Sequence, residues 1–159
     1  MKILCIHGIG HQEARANWRN DWVNTIHTRL AEWSPGVPAD VRHFAYDQHF
    51  ADADSSSGVY LSALAQLLKS WVVHAGERDL FGIFDRVRWT VGMVAQWSAL
   101  DDLRADLRSA FAAEIASYQP DVIVAHSLGT LISYDTLRNA DSAAVAGFGG
   151  SLVTCGSQI

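Results

Sequence analysis

The chain has 159 residues and a mass of 17.4 kDa, which suits a single domain spanning residues 1–159. With 49% hydrophobic and 18% charged residues, it has material for a buried core and too little charge for intrinsic disorder. Twelve Lys+Arg against seventeen Asp+Glu leave a net charge of -5, without the basic surplus of a nucleic-acid footprint, so no nucleic-acid partner is expected.

Lys2 to His7 is a short apolar run without helical period, closed by Gly8-Ile9-Gly10, and reads as a strand buried on both faces of a parallel sheet. From Glu13 to Trp33, the residues Trp18, Trp22, Ile26, Leu30 and Trp33 recur three or four apart, which predicts a helix stopped by Ser34-Pro35-Gly36. Val41–Tyr46 is a second strand, and the polar stretch Asp47 to Gly58 reads as a loop. Val59 to Tyr118 is apolar and largely helical. Leu64, Leu67, Leu68 and Trp71 fit one helix; Leu103, Leu107, Phe111 and Ile115 fit another, with Ser98 and Asp101 as its expected cap. Asp121–Ala125 is a third strand, Gly129 to Asn139 a helix, and Ser151–Cys155 a fourth strand. Strands alternating with helices predict an α/β fold, a parallel sheet of about four strands with helices on both faces.

Met1-Lys2 leads into only four apolar residues before His7, which does not make a signal peptide. Leu80 to Leu100 is interrupted by Asp85, Arg86 and Arg88, so no transmembrane segment is expected. Two cysteines, Cys5 and Cys155, are too few for a disulfide framework; both lie in strand patterns and read as core thiols of a cytoplasmic protein.

The stretch richest in chemistry is Ala125-His126-Ser127-Leu128-Gly129. A buried strand runs straight into a serine and then a helix. A turn that sharp strains the central residue and presents its side chain at the carboxyl edge of the sheet. The flanking Ala125 and Gly129 are small, as such a turn demands. Ser127 then has the placement of a nucleophile, and the Leu128 N–H that of an oxyanion donor. The alternative, a plain serine cap of the helix, leaves the glycine loop His7-Gly8-Ile9-Gly10-His11 at the end of the first strand without a purpose. In the nucleophile reading that loop supplies a second donor, the Ile9 N–H, while Gly8, Gly10, His11 and His126 line the substrate.

These motifs, with Leu152-Val-Thr-Cys-Gly156-Ser157, resemble the α/β-hydrolase family in its lipase and esterase branch. Ala125 stands where that family more often has glycine, though some small bacterial lipases carry alanine there. The resemblance implies a sheet ordered 41–46, 2–7, 121–125, 151–155. It also implies an esterase acting on a small-molecule or lipid ester through an acyl-serine intermediate, with no metal or organic cofactor. In that family the base is a histidine and the chain order is serine, acid, histidine. None of the seven histidines follows Ser127, and only Asp135 and Asp141 are carboxylates beyond it. The sequence is therefore expected to be the first part of an α/β-hydrolase fold, truncated before the acid, the base and the C-terminal strands. Strand 151–155 is then an exposed edge that a partner chain or a second copy would cover. The competing reading is a non-catalytic binding or assembly module that keeps the sheet without the triad.

Other signals weigh less. His7 and His11 are spaced like metal ligands but flank a glycine loop with no ligand cluster, so no metal site is expected. Glu13 occupies the third glycine position of a dinucleotide fingerprint, which removes that reading. His126 precedes the serine directly and reads as structural, while His11 remains a distant candidate base. The six tryptophans are expected to pack helices on the sheet; alternatively, residues 59–100 within the helical insertion of about 59–118 form a cap over Ser127 with an apolar acyl or lipid pocket.

Overall fold

The computed structural model describes residues 1–8, 18–51, 93–139 and 145–156. They contain strands β1 (Lys2–Ile6), β2 (Asp40–Phe44), β3 (Val122–His126) and β4 (Ser151–Cys155). The helices are α1 (Trp18–Trp33), α2 (Asp47–Ala51), α3 (Asp101–Tyr118) and α4 (Leu128–Asn139), with residues 93–99 also helical. All strand pairs are parallel and the order is β2-β1-β3-β4. The chain thus moves from β1 to a neighbour on one side and afterwards to β3 on the other. The carboxyl ends of β1 and β3 frame the point where the winding reverses, the place in such sheets where loops diverge and leave a crevice.

The chain divides into two compact units, 1–45 with 108–159 and 46–107. The sheet belongs to the first. Ile3, Leu4, Cys5 and Ile6 of β1 are at most 4% exposed, as the apolar run without period requires of a central strand. Successive residues of β2 point to opposite faces. Phe44 meets Phe111 of α3 with ring centroids 4.9 Å apart, whereas His43 meets Trp22 of α1 at 6.4 Å. Helices therefore cover both faces of the sheet. The Arg108–Asp135 ion pair, 3.0 Å long, ties α4 to the same side as α3.

The predicted stripe of α3 is buried throughout: Leu103, Leu107, Phe111 and Ile115 are at most 5% exposed. Tyr118 ends that helix, where its hydroxyl donates to the Asp40 carbonyl at 2.8 Å and the Arg42 guanidinium covers its ring at 4.2 Å. Burial first, and the Asp40 carboxylate second, push its hydroxyl pKa up to about 12. In the second unit Tyr46, Phe50, Met93, Ala95, Leu103 and Leu107 are buried, with Tyr46 and Phe50 in ring contact at 5.7 Å.

Four expectations are corrected. Asp47–Ala51, expected as loop, is a short helix whose amide at His49 donates to the Tyr46 carbonyl. Ser98 does not cap α3: its hydroxyl donates back to the Ala95 carbonyl at the end of the preceding helical segment, and the Arg104 amide donates to the Leu100 carbonyl instead. Cys155 is exposed because β4 is an edge strand, exposed along most of its length, while Cys5 is buried and its thiol pKa rises to about 12. Trp33 is 81% exposed beside the Ser34 turn and packs nothing onto the sheet. Residues 59–92 of the expected insertion or cap, with the predicted helix through Leu64, Leu67, Leu68 and Trp71, lie outside the described residues, as do residues 52–58 of the expected loop. Among those described, no helix is long and apolar enough to cross a membrane.

Candidate active site

The candidate site is built from the ends of β1, β3 and β4. Ser127 is the one residue between β3 and α4, and its φ of +51° lies in the left-handed region that side chains rarely adopt. Strand hydrogen bonding holds it there on one side: its amide donates to the Cys155 carbonyl of β4 at 3.1 Å. The helix holds it on the other. Its carbonyl accepts from the Thr130 amide at 2.9 Å, and the Thr130 hydroxyl reaches the Ala125 carbonyl at 3.4 Å. Ser127 is half-buried, so it is neither in the core nor inside a regular helix. Strain on this scale persists only where the surroundings over-determine the backbone, and it concentrates at functional positions.

Gly8 brings the end of β1 against this turn. A β-carbon there would stand 2.8 Å from Ser127 Cβ and 2.5 Å from His126 Nδ1, closer than real atoms approach. The buried His7 ring fixes the same turn, with Nδ1 donating to the Gly8 carbonyl. Gly129 explains its own smallness differently from the expected collision across the turn. Its missing β-carbon would face the β1 backbone, 2.6 Å from the His7 carbonyl oxygen and 2.7 Å from that of Ile6. The glycine lets the first turn of α4 sit directly on the end of β1. Leu128, the first residue of α4, is buried, and the amides of a first helical turn have no acceptor within the helix.

Gly8, His126, Ser127 and Leu128 are thus brought together at one end of the sheet. Ile9, Gly10 and His11 lie outside the described residues. His126 and His43 both have pKa values below the usual 6.5. For His126 the causes are burial and then the nearby His7; for His43 they are burial, then Arg19, then His7. Both imidazoles therefore favour the neutral form. Trp22 joins them from α1, at 6.4 Å from each ring.

Asp135 does not serve this site. Its carboxylate is occupied by Arg108 at 3.0 Å and by the Asn139 side chain at 2.8 Å. Asp141 lies outside the described residues. Among the described residues no group of three or more His, Cys, Asp or Glu is placed to hold a metal ion.

Gly156 joins the site from the end of β4. It has a φ of +58°, and its missing β-carbon would lie 3.3 Å from His126 Nε2. Its signals in the sequence are a glycine just after a strand and its place in the Leu152–Ser157 motif, neither of which points to His126. A surface groove of about 580 Å³ lies at the opposite end of the sheet, lined by residues that include Ile115, Gln119, Asp121, Phe148 and Ser151. It begins where β3 and β4 begin, a strand's length from Ser127, and so adds nothing to this site. Compared with protein-family models, curated proteins and solved structures, the chain matches none.

Proposed function

We propose that the chain carries the nucleophile and oxyanion side of a serine hydrolase of the esterase or lipase type, on a sheet of the α/β-hydrolase kind. The observation that carries this reading is Ser127 at a φ of +51°, alone between a strand and a helix, with the Gly8 main chain packed against it. Gln119, just past the end of α3, has the same φ of +51°, so it is the strand-to-helix placement of Ser127 together with the Gly8 contact that favours a nucleophile over a plain cap. A nucleophile gains an exposed hydroxyl at a helix N-terminus from that placement.

In this mechanism Ser127 Oγ attacks the carbonyl carbon of a small-molecule or lipid ester. The carbonyl electron pair moves onto oxygen, where the Leu128 and Ile9 amides hold it. A general base takes the hydroxyl proton and delivers it to the departing alkoxide as the C–O bond breaks. Water then repeats the sequence on the acyl-serine and releases the acid. The base and its orienting carboxylate are supplied from outside the cluster at the strand ends. Asp135, held by Arg108, is not that carboxylate.

A fluorophosphonate probe tests the reading. Its phosphorus accepts Ser127 Oγ and releases fluoride, leaving a stable adduct. Stoichiometric labelling of the chain, lost in Ser127→Ala, supports the hydrolase. Absence of labelling, alone and with candidate partner chains, favours a binding or assembly module that retains the sheet without the chemistry.

A further inference from the structure

The two loops beside Ser127 are separated by one side chain. β3 lies between β1 and β4 in the sheet, and His126 is its last residue. The Nδ1 edge of its imidazole faces Gly8, beyond the end of β1, where a β-carbon would come within 2.5 Å. The Nε2 edge faces Gly156, beyond the end of β4, where a β-carbon would come within 3.3 Å. Trp22 meets the ring edge-on, at 83°. One imidazole thus spans the ends of three strands and occupies the volume that side chains at positions 8 and 156 would otherwise need. Because Gly8 also stands against Ser127 Cβ, whatever fixes Gly8 against the imidazole fixes it against the serine.

We propose that His126 is a positioning residue of the site: its ring is the spacer that sets Gly8 and Gly156 around Ser127. The catalytic consequence rests on the hydrolase reading; the spacer role does not. Burial and the groups facing the ring favour its neutral form. His7 approaches from the end of β1, and Cys155 is its registered neighbour on β4. His43 lies across Trp22, and the positive charge of Arg19 on α1 opposes its protonation. A proton on His126 would add positive charge to a partly buried cluster that already contains imidazoles and a guanidinium. A ring that shifts to relieve this charge gives up its packing against Gly8 and Gly156.

The test follows the amide resonances of Gly8 and Gly156 by NMR in the full chain while the pH is lowered. Both are expected to titrate together with the His126 ring, at a midpoint below 6.5. In His126→Gln, a neutral planar side chain of similar reach, the shared titration is expected to vanish while the strand amides stay in place. Glycine amides that ignore the His126 titration, or that titrate unchanged in His126→Gln, overturn the proposal.

Labelling rates provide a second arm. His126→Ala is expected to label Ser127 roughly tenfold to a hundredfold more slowly, as loss of positioning does, with His126→Gln restoring most of the rate. Where the wild type labels, an equal rate in His126→Ala overturns the positioning role. A wild type that never labels while its glycine amides titrate as described counts against the hydrolase reading and leaves the spacer standing.

Discussion

Gly129 is pressed against the main chain of His7: a β-carbon on the glycine would come within 2.6 Å of the His7 carbonyl oxygen. Both that oxygen and the Ile6 oxygen are main-chain atoms at the carboxyl end of β1, so neither swings aside as a side chain would. Gly129→Ala must push α4 off β1. Alanine favours a helix interior by about 1 kcal/mol over glycine, which offsets part of this cost. Overpacking typically costs about 1–3 kcal/mol, and a rigid backbone contact belongs at the upper end. The expected net loss is about 1–2 kcal/mol, read as a lower urea midpoint at unchanged slope. An unchanged or raised midpoint would show that the helix does not rest on the strand end here.

Ser127 gives the opposite expectation. Its backbone is left-handed, a conformation that costs a residue with a β-carbon about 1–2 kcal/mol and glycine almost nothing. Glycine also gains freedom in the unfolded chain, which removes part of the benefit. Ser127→Gly is therefore expected to stabilise the fold by about 0.5–1 kcal/mol, while abolishing any labelling by the fluorophosphonate. Thermal melts of the full chain decide it. Destabilisation would mean that the serine hydroxyl supports the fold and that the turn is not held for chemistry alone.

The parts of this fold legible in the sequence are those with a local physical signature. Ile3 to Ile6 announced a central strand because a strand covered on both faces needs no polar alternation. Leu103, Leu107, Phe111 and Ile115 announced α3 by their spacing, and Ala125 to Gly129 announced the turn. The sheet order came from the resemblance, and the pairing of β2, β1, β3 and β4 agrees with it. What escaped depends on neighbours distant in sequence. Ser98 looks like a cap until the segment before it turns out to be helical, and Cys155 looks buried until β4 proves to be an edge. Asp47–Ala51 is too short and polar for periodicity to mark it as a helix. The spanning of Gly8 and Gly156 by His126 joins three segments, and no spacing rule connects them.

The Arg108–Asp135 pair separates structure from chemistry. Both side chains are mostly covered, at 29% and 18% exposure, so the pair is shielded more than a surface bridge and anchors α4 to α3. Asp135→Asn keeps a hydrogen-bonding oxygen but loses the charge, and is expected to cost about 1 kcal/mol. It is expected to leave the labelling of Ser127 at its wild-type rate. A large fall in labelling with little loss of stability would make Asp135 the acid of the site after all.

The two depressed histidines predict how stability responds to acid. His43 and His126 bind protons less readily when folded than when unfolded, because burial and neighbouring positive groups oppose their charged forms. The unfolded chain therefore takes up more protons as the pH falls through the usual histidine value of 6.5, and each such proton favours unfolding. Stability is expected to be full above this range and to decline below it, levelling off once the pH drops beneath the lowered folded values. The limiting slope is about 1.4 kcal/mol per pH unit for each histidine. Urea midpoints at pH 7.5, 6.5 and 5.5 test this, because carboxylates titrate mainly at lower pH. The decline should be shallower in His43→Gln and His126→Gln, and shallower still with both changes. An equal decline in the double variant would place the acid sensitivity elsewhere and show that neither ring is held neutral by the fold.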